Sequence, residues 1–146
     1  FDYRSSRLKR TKEIAVGILL QLERGNKDDI FARMEEIRAL RAQKHPERNS
    51  HNAGSYFKNL PPEEPGGRRQ AAGKFLELAG AKGLRKGHAA VYSGHANFIV
   101  NEGGAKARDV LELAEQLKQL VHEKFHIRLE EEVRFLDANN GFKTEG

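Results

Sequence analysis

An unbroken apolar stripe runs through residues 106–126 at the spacing of an α-helix. Its members recur every three or four residues and are Val110, Ala114, Leu117, Val121 and Phe125. A helix with one apolar face is stable only when that face packs against another element, so the rest of the chain must supply a covering layer. We therefore predict a helix from residue 106 to about residue 126, packed on neighbouring secondary structure.

Alternation of apolar and polar residues predicts the strands. In residues 13–22 large apolar side chains occupy every second position, which is typical of a strand with one buried face. Residues 129–135 alternate in the same way except at Glu131, which falls on the apolar side, and this final strand is predicted to pack against the long helix. Two shorter strands are predicted at residues 88–92 and 97–100.

Two further helices complete the predicted elements. Asn26 is a suitable N-cap, and apolar residues at helical spacing predict a helix from there to about residue 43. The polar stretch that follows, to residue 52, is predicted to be a loop. A short apolar face over residues 72–79 predicts a third helix, which Gly80 ends. These elements predict an α+β fold, with helices covering a small mixed or antiparallel sheet.

The composition sets limits on function. A length of 146 residues leaves room for one compact core. The absence of Cys excludes disulfides, thiolate catalysis and Cys-based zinc sites, and it is typical of a reducing cytosol. No run of about 18 apolar residues occurs, so no membrane span and no signal peptide are predicted. The net charge of +5 favours anionic partners, but it does not distinguish nucleic acid from a nucleotide diphosphate or an acidic membrane surface.

Two sequence patterns carry possible chemistry at the C-terminal end. Residues 122–126 form a His-Glu-Xaa-Xaa-His pattern, in which two His one turn apart bind zinc in metalloproteases. The pair falls in the last turn of the predicted helix, where imidazolium groups are also favoured by the helix dipole without any metal. Glu130 and Glu132 share one face of the predicted strand, where they form either an acid pair or an ordinary solvated face.

The middle of the chain carries two weaker patterns. Ser55 follows Gly54 and precedes two aromatic residues, so its hydroxyl lies either at a close backbone approach or in an ordinary turn. Lys82, Arg85 and Lys86, with Arg68 and Arg69 nearby in sequence, would bind phosphate or nucleic acid if they converged, and otherwise form ordinary surface. No nucleic-acid recognition motif accompanies them, so no nucleic-acid partner is predicted.

A longer pattern resembles a known family. It begins with the run Asn52-Ala53-Gly54-Ser55-Tyr56-Phe57-Lys58-Asn59, which resembles the Asn-Ala-Gly-Ser-Phe-Phe-Lys-Asn signature of the UDP-N-acetylenolpyruvoylglucosamine reductases. Residues 72–76, 78–85, 87–91, 95–101 and 132–134 agree with later segments of that family in the same order. At the start, residues 3–6 resemble the element that ends the family's flavin domain, with Ser5 where Asp is usual.

The resemblance implies a reaction and the residues that carry it. Members reduce the enolpyruvyl ether of UDP-N-acetylenolpyruvoylglucosamine to the lactyl ether of UDP-N-acetylmuramate in peptidoglycan synthesis, using FAD that NADPH has reduced. Ser55 matches the family's proton donor. Arg4 and Glu132 match the residues that stabilise the enolic intermediate, the carboxyl group in its protonated, hydrogen-bond-donating form. Substrate contacts are implied for Lys44, Asn59 and His95, and a flavin contact for Tyr3.

The resemblance also implies a domain organisation. Residues 1–43 correspond to the end of the flavin-binding domain and a connecting helix, residues 44–137 to the substrate-binding domain, and residues 138–146 to a flexible tail. The first residue is Phe, so we expect an internal cut in a longer cytoplasmic enzyme whose N-terminal flavin domain is a separate partner. The short interval from Arg4 to Gly54 predicts the subclass without a substrate-covering tyrosine loop.

Three alternatives to a reductase stay open from sequence. A non-catalytic UDP-sugar-binding module would keep the substrate pocket without the redox half. A basic nucleic-acid-binding domain is supported by net charge alone and predicts strong salt dependence of binding. A zinc hydrolase would use the His-Glu-Xaa-Xaa-His pattern.

Overall fold

The computed structural model of the chain describes residues 1–47, 49–137 and 141–142. Within them it forms helices α1 (Arg7–Thr11), α2 (Lys27–Lys44), α3 (Ala72–Leu78) and α4 (Ala107–Phe125), and strands β1 (His51–Ser55), β2 (Arg85–Lys86), β3 (Ala89–Val91), β4 (Phe98–Asn101), β5 (Leu136–Asp137) and β6 (Gly141–Phe142). The chain divides into two compact units, Phe1–Glu36 and Ile37–Gly146, which are described separately.

The first unit contains α1 and the first part of α2. The Ser6 hydroxyl accepts a hydrogen bond from the backbone N–H of Lys9 at 3.2 Å and so caps α1. Asn26 caps α2 as predicted, because its Oδ1 accepts from the backbone N–H groups of Asp28 and Asp29 at 2.8 and 3.2 Å. The predicted helix is confirmed, and it extends to Lys44.

The predicted strand over residues 13–22 is wrong. Residues 12–26 form neither helix nor strand, and the apolar side chains of the alternating pattern are exposed, from 72% for Leu20 to 98% for Val16. A strand is stable only when its backbone N–H and C=O groups pair with a neighbouring strand. No strand in the described part of the chain pairs with this segment, so alternation alone does not produce the ladder.

The second unit is built on a four-stranded antiparallel sheet of order β1-β4-β3-β2. The predicted α+β class is confirmed, and the sheet is antiparallel rather than mixed. Strands β3 and β4 coincide with the two short predicted segments to within one residue. Strands β1 and β2 were not predicted, because the polar sequence of β1 and the two residues of β2 carry no alternating apolar pattern.

Helix α4 packs against this sheet, α3 packs against α4, and together they enclose the core. The stripe that predicted α4 is buried at Ala114, Leu117 and Val121, so that prediction is confirmed. Leu76 of α3 and Phe57 are also fully buried in the same cluster. Each large apolar side chain in such a core contributes about 1.5–3 kcal/mol to the free energy of unfolding. None of the helices in the described part of the chain is long and apolar enough to span a membrane.

The predicted final strand over residues 129–135 is largely wrong. Of these residues only Glu131 forms a β-bridge, with Phe57. Backbone hydrogen bonds on either side of the bridge join residue 130 to residue 58 and residue 132 to residue 56. Within the described residues the pairing extends no further. Glu131, the exception to the alternation, forms an ion pair of 2.9 Å with Lys118 of α4, which accounts for a carboxylate on the inner side.

The segment predicted to be a flexible tail, residues 138–146, is described only at Gly141–Phe142. Those two residues form β6, which pairs antiparallel with β5. Residues 138–140 and 143–146 lie outside the described residues, so the tail stays a prediction.

Candidate functional site

Ser55 lies at the end of a distorted strand. Gly54 has a φ of 81°, and its backbone N–H donates to Oδ1 of Asn52 at 2.8 Å. The register of β1 against β4 shifts between Asn52 and Ser55, as in a β-bulge. A bulge changes the direction in which the next side chain points, and Gly is the residue that adopts the required positive φ without steric cost. Ser55 is exposed, and no described residue hydrogen-bonds its hydroxyl group.

Glu132 lies beside the continuation of that strand. Its backbone N–H donates to the carbonyl of Tyr56 at 2.8 Å, and the backbone N–H of Lys58 donates to the carbonyl of Glu130 at 2.8 Å. Glu132 is therefore held one residue along from Ser55, and its side chain is half-buried. The structure brings together these two residues, which are 77 positions apart in the sequence.

Asn59 lies where α3 begins. Its Oδ1 accepts from the backbone N–H of Ala72, the first residue of α3, at 3.3 Å. Its carbonyl accepts from Nε and Nη2 of Arg69 at 3.2 and 2.8 Å. Asn59 thus anchors the N-terminus of α3 to the segment that carries Ser55, and its predicted contact with substrate stays a prediction.

An open cleft of about 520 Å³ lies beside α3 and carries mostly positive charge. The residues that line it are Lys44, Ala71, Gly73, Lys74, Glu77, Leu78, Lys82, Gly94 and His95. Lys44 and His95, both predicted substrate contacts, therefore share one cleft. Lys82, noted among the phosphate-binding candidates, pairs with Glu77 at 2.6 Å. Lys74 was not predicted, and only its place on the first turn of α3 could have indicated it.

His95 is held in one orientation in the wall of this cleft. Its Nδ1 accepts a hydrogen bond from the backbone N–H of Asn97 at 3.2 Å. A Cβ atom at Gly73 would lie 2.8 Å from the ring carbon Cε1 of His95, so only Gly allows this approach. Burial lowers the pKa of His95 below its ordinary value, and the neighbouring ring of His45 lowers it further. His95 is therefore neutral at physiological pH, with its hydrogen on Nε2.

Tyr56, next to Ser55, is buried with its hydroxyl unsatisfied. The residue is 3% exposed, and no group in the described part of the chain hydrogen-bonds its hydroxyl oxygen. Burial raises the pKa of Tyr56, and the charge of Glu131 raises it further. The hydroxyl is therefore neutral at all physiological pH values.

Tyr3 and Arg4 belong to the first unit. They form a turn closed by two backbone hydrogen bonds between Asp2 and Ser5, and the Arg4 guanidinium lies 5.1 Å from the centre of the Tyr3 ring. Arg4 has a φ of 54°, an uncommon conformation for a residue with a side chain. Their predicted roles, with the enolic intermediate and with the flavin, stay predictions.

The alternative sites gain no support from the geometry. His122 and His126 lie at the exposed end of α4 with ring centres 6.2 Å apart, and nowhere in the described ranges do three potential metal-binding side chains cluster. Of the basic residues, Arg85 pairs with Glu102, and Lys86 lies 3.7 Å from Glu112. Carboxylates beside these cations reduce the positive field that nucleic acid would require.

Comparison with known proteins supports one family. The model of the UDP-N-acetylenolpyruvoylglucosamine reductase C-terminal domain matches residues 45–136. The reductase of Carboxydothermus hydrogenoformans is 43% identical over 136 residues, covering 93% of this chain and 42% of the relative. That of Bacillus subtilis is 36% identical over 140 residues, covering 95% of this chain and 44% of the relative. The chain therefore spans less than half the length of these relatives.

A solved structure agrees with the sequence matches. The crystal structure of the reductase from Thermus caldophilus is similar to 77% of this chain and to 37% of its own chain, with a TM-score of 0.56 and 41% identity. Fold and sequence thus give the same result, and the resemblance seen in the motifs is confirmed. The chain belongs to the UDP-N-acetylenolpyruvoylglucosamine reductase family.

Proposed function

We propose that this chain supplies the substrate-binding side of a reductase that converts UDP-N-acetylenolpyruvoylglucosamine to UDP-N-acetylmuramate in the cytoplasmic stage of peptidoglycan synthesis. The observation that carries the proposal is the placement of the family signature. Ser55 ends a bulged strand, Glu132 is held beside the next residue, and Asn59 anchors the helix that forms one wall of a cationic cleft.

The cleft has the charge and size for a nucleotide diphosphate. Lys44 and Lys74 line it and form no ion pair with any described residue, while Lys82 is partly neutralised by Glu77. A diphosphate placed there would exchange water for two or three ammonium groups, and charge-assisted hydrogen bonds of this kind contribute about 1.5–3 kcal/mol each. The neutral His95 adds a hydrogen-bond donor, its Nε2–H, in the same wall.

Ser55 is proposed to donate the proton that completes the reduction. When hydride has added to one vinyl carbon, the electron pair of the former double bond is delocalised from the adjacent carbon into the substrate carboxylate. The Ser55 O–H bond breaks and a C–H bond forms at that adjacent carbon. The carboxyl group of Glu132 and the guanidinium of Arg4 are proposed to stabilise the enolic intermediate by hydrogen bonding and by charge.

FAD and NADPH, which the family resemblance implies, find no enclosed site within residues 1–36. None of residues 1–36 is buried, whereas a flavin site needs apolar walls and buried polar groups. We therefore assign no step of the flavin chemistry to these residues. We propose instead that a flavin-binding domain is the partner of this chain, with Tyr3 contributing at most one contact.

The proposal can be tested with a chimaeric enzyme. The chimaera joins this chain to the portion of the Carboxydothermus hydrogenoformans reductase that the chain does not match. It is reduced with NADPH under anaerobic conditions and then mixed with UDP-N-acetylenolpyruvoylglucosamine. Flavin absorbance should return as substrate is reduced, and Ser55→Ala should slow this return by about 10²-fold or more, the usual contribution of a general acid. If the Ser55→Ala chimaera binds flavin and substrate but reoxidises as fast as the unsubstituted one, the assigned proton donor is contradicted.

The second candidate is a UDP-sugar-binding module without redox activity. It is favoured by one observation, that the cationic cleft lies entirely within the second unit. Isothermal titration with UDP-N-acetylglucosamine should detect binding under either hypothesis. The binding-module hypothesis is supported if the chain binds UDP-N-acetylglucosamine but the flavin of the chimaera is not reoxidised by substrate. Both candidates fail if the chain binds no UDP-sugar.

A further inference from the structure

Asn97 is a buried amide whose side-chain hydrogen bonds are both directed at one residue. It is 3% exposed, its Oδ1 accepts from the backbone N–H of Phe57 at 2.9 Å, and its Nδ2 donates to the carbonyl of Phe57 at 2.9 Å. The pairing of β1 with β4 ends at Ser55 opposite Phe98. Beyond that point the side chain of Asn97 takes the place of a neighbouring strand for Phe57.

The backbone of Asn97 makes two further contacts. Its carbonyl accepts from the backbone N–H of Tyr56 at 2.8 Å. Its N–H donates to Nδ1 of His95 at 3.2 Å. Asn97 is therefore bonded on one side to the two residues after Ser55 and on the other side to the imidazole ring in the cleft wall.

We propose that Asn97 is the positioning residue of this site, which holds the end of the strand that carries Ser55 and the ring of His95 in one fixed arrangement. This proposal rests on the proposed function in one respect, the actions of Ser55 and His95 on substrate. The contacts themselves belong to the fold, so they can be tested without any turnover.

The arrangement determines which nitrogen of His95 faces a ligand. Because Nδ1 accepts from the Asn97 N–H, the hydrogen of the neutral ring resides on Nε2. The cleft wall then offers a hydrogen-bond donor, which suits an acceptor oxygen of a nucleotide such as a phosphoryl or carbonyl oxygen. If Asn97 shifted, the ring would lose the bond that selects this tautomer.

Loss of the side-chain amide should loosen both sides of the site. In Asn97→Leu the N–H and carbonyl of Phe57 would be buried without partners, and the segment should open to water more often. Amide hydrogen exchange of Phe57, measured by NMR on the 146-residue chain, should accelerate by about tenfold or more relative to wild type. The nitrogen spectrum of His95, recorded well above its titration range, should change from one tautomer to a mixture.

Asn101 provides the matched control. It lies in strand β4, and its Oδ1 accepts from the backbone N–H groups of Gly103 and Ala105 at 2.9 and 3.0 Å, without a contact to Phe57 or His95. Asn101→Leu makes the same chemical change four residues away and should leave the Phe57 exchange rate and the His95 spectrum unchanged. If Asn97→Leu alters these two observables no more than Asn101→Leu does, the positioning role is refuted.

Asn97→Asp keeps the test decisive if Asn97→Leu fails to fold. The carboxylate retains the acceptor for the Phe57 N–H, loses the donor to the Phe57 carbonyl and places a negative charge beside that oxygen. Faster exchange at Phe57 and a mixed His95 tautomer should therefore still appear. A wild-type spectrum in Asn97→Asp would overturn the proposal.

Titration with UDP-N-acetylglucosamine separates this proposal from the proposed function. Asn97→Leu or Asn97→Asp should weaken binding by about tenfold, the effect of losing one well-oriented hydrogen bond to a charged ligand, whereas Asn101→Leu should stay within about twofold. If the spectra respond as expected but wild type binds no UDP-sugar, the positioning role stands and the proposed function fails.

Discussion

Removing the hydroxyl of Tyr56 should stabilise this protein. The hydroxyl is buried beside the core and makes no hydrogen bond within the described residues. A buried polar group without a partner costs about 1–3 kcal/mol, because it has lost its bonds to water and gained none in return. Tyr56→Phe removes that cost and keeps the edge-to-face contact with Phe57, whose ring centre lies 5.0 Å away.

The expected gain is therefore about 1–3 kcal/mol in the free energy of unfolding, with a rise in Tm of about 4 °C per kcal/mol for a chain of this size. Urea unfolding followed by circular dichroism measures it directly. The midpoint should move to higher urea with an unchanged slope, since Phe and Tyr expose nearly the same surface on unfolding.

Tyr92→Phe is the control, because its hydroxyl donates a long bond of 3.4 Å to the carbonyl of His45. The same chemical change there should lower stability slightly, by up to about 1 kcal/mol. A loss of stability in Tyr56→Phe would refute the reasoning. It would mean that the Tyr56 hydroxyl has a partner in solution, and the carboxylate of Glu131, whose charge acts on it, would be the first to examine.

Three further predictions concern the cleft and the bulge. Lys44→Met should weaken UDP-N-acetylglucosamine binding by about 10- to 100-fold in calorimetric titrations and make that binding less dependent on salt. The control Lys106→Met removes a charge at the cap of α4 and should change neither quantity. Because folding lowers the pKa of His95, the unfolded chain binds a proton more readily than the folded chain, and the folded state loses stability as pH falls below the unfolded value of 6.5. The unfolding midpoint of His95→Gln should therefore change less with pH below 6.5 than that of wild type. Gly54→Ala and Gly66→Ala place a side chain at φ values of 81° and 80° in open space, so each should lose about 1–2 kcal/mol, yet only Gly54→Ala should also slow the chimaeric reductase.

Local patterns predicted the elements whose stability depends on their own sequence. The stripe and buried face of α4, the Asn26 cap of α2 and the Gly80 that follows α3 with a φ of 84° all appear where the sequence indicated them. Each depends on groups within a few turns of one another, and such features are visible in one stretch of chain.

Elements that depend on a distant partner were predicted poorly. The alternation in residues 13–22 produced no strand, because alternation selects a face but does not supply a neighbour. Strand β1 has no alternation and forms nonetheless, because β4 supplies its hydrogen bonds. Among the described residues, 130–132 pair only with residues 56–58, so the alternation of residues 129–135 did not indicate how far a partner would follow it.

The same distinction applies to the site. Motif resemblance indicated Ser55, Glu132, Lys44 and His95, and the structure places Lys44 and His95 in one cleft. The motifs gave no role to the amide of Asn97, because its bonds to Phe57 join residues that are 40 positions apart in the sequence.

Departures from ordinary local structure concentrate around Ser55. A positive φ at Gly54, an unsatisfied hydroxyl at Tyr56 and an amide that replaces a strand at Phe57 fall within four consecutive positions. Each lowers stability or specifies a geometry that a regular strand would not adopt, whereas β3 and the buried face of α4 show no such feature. Natural chains retain such departures chiefly where function requires a particular geometry. Their grouping beside one exposed hydroxyl supports the proposal that Ser55 is the reacting group, by a structural argument that adds to the motif resemblance.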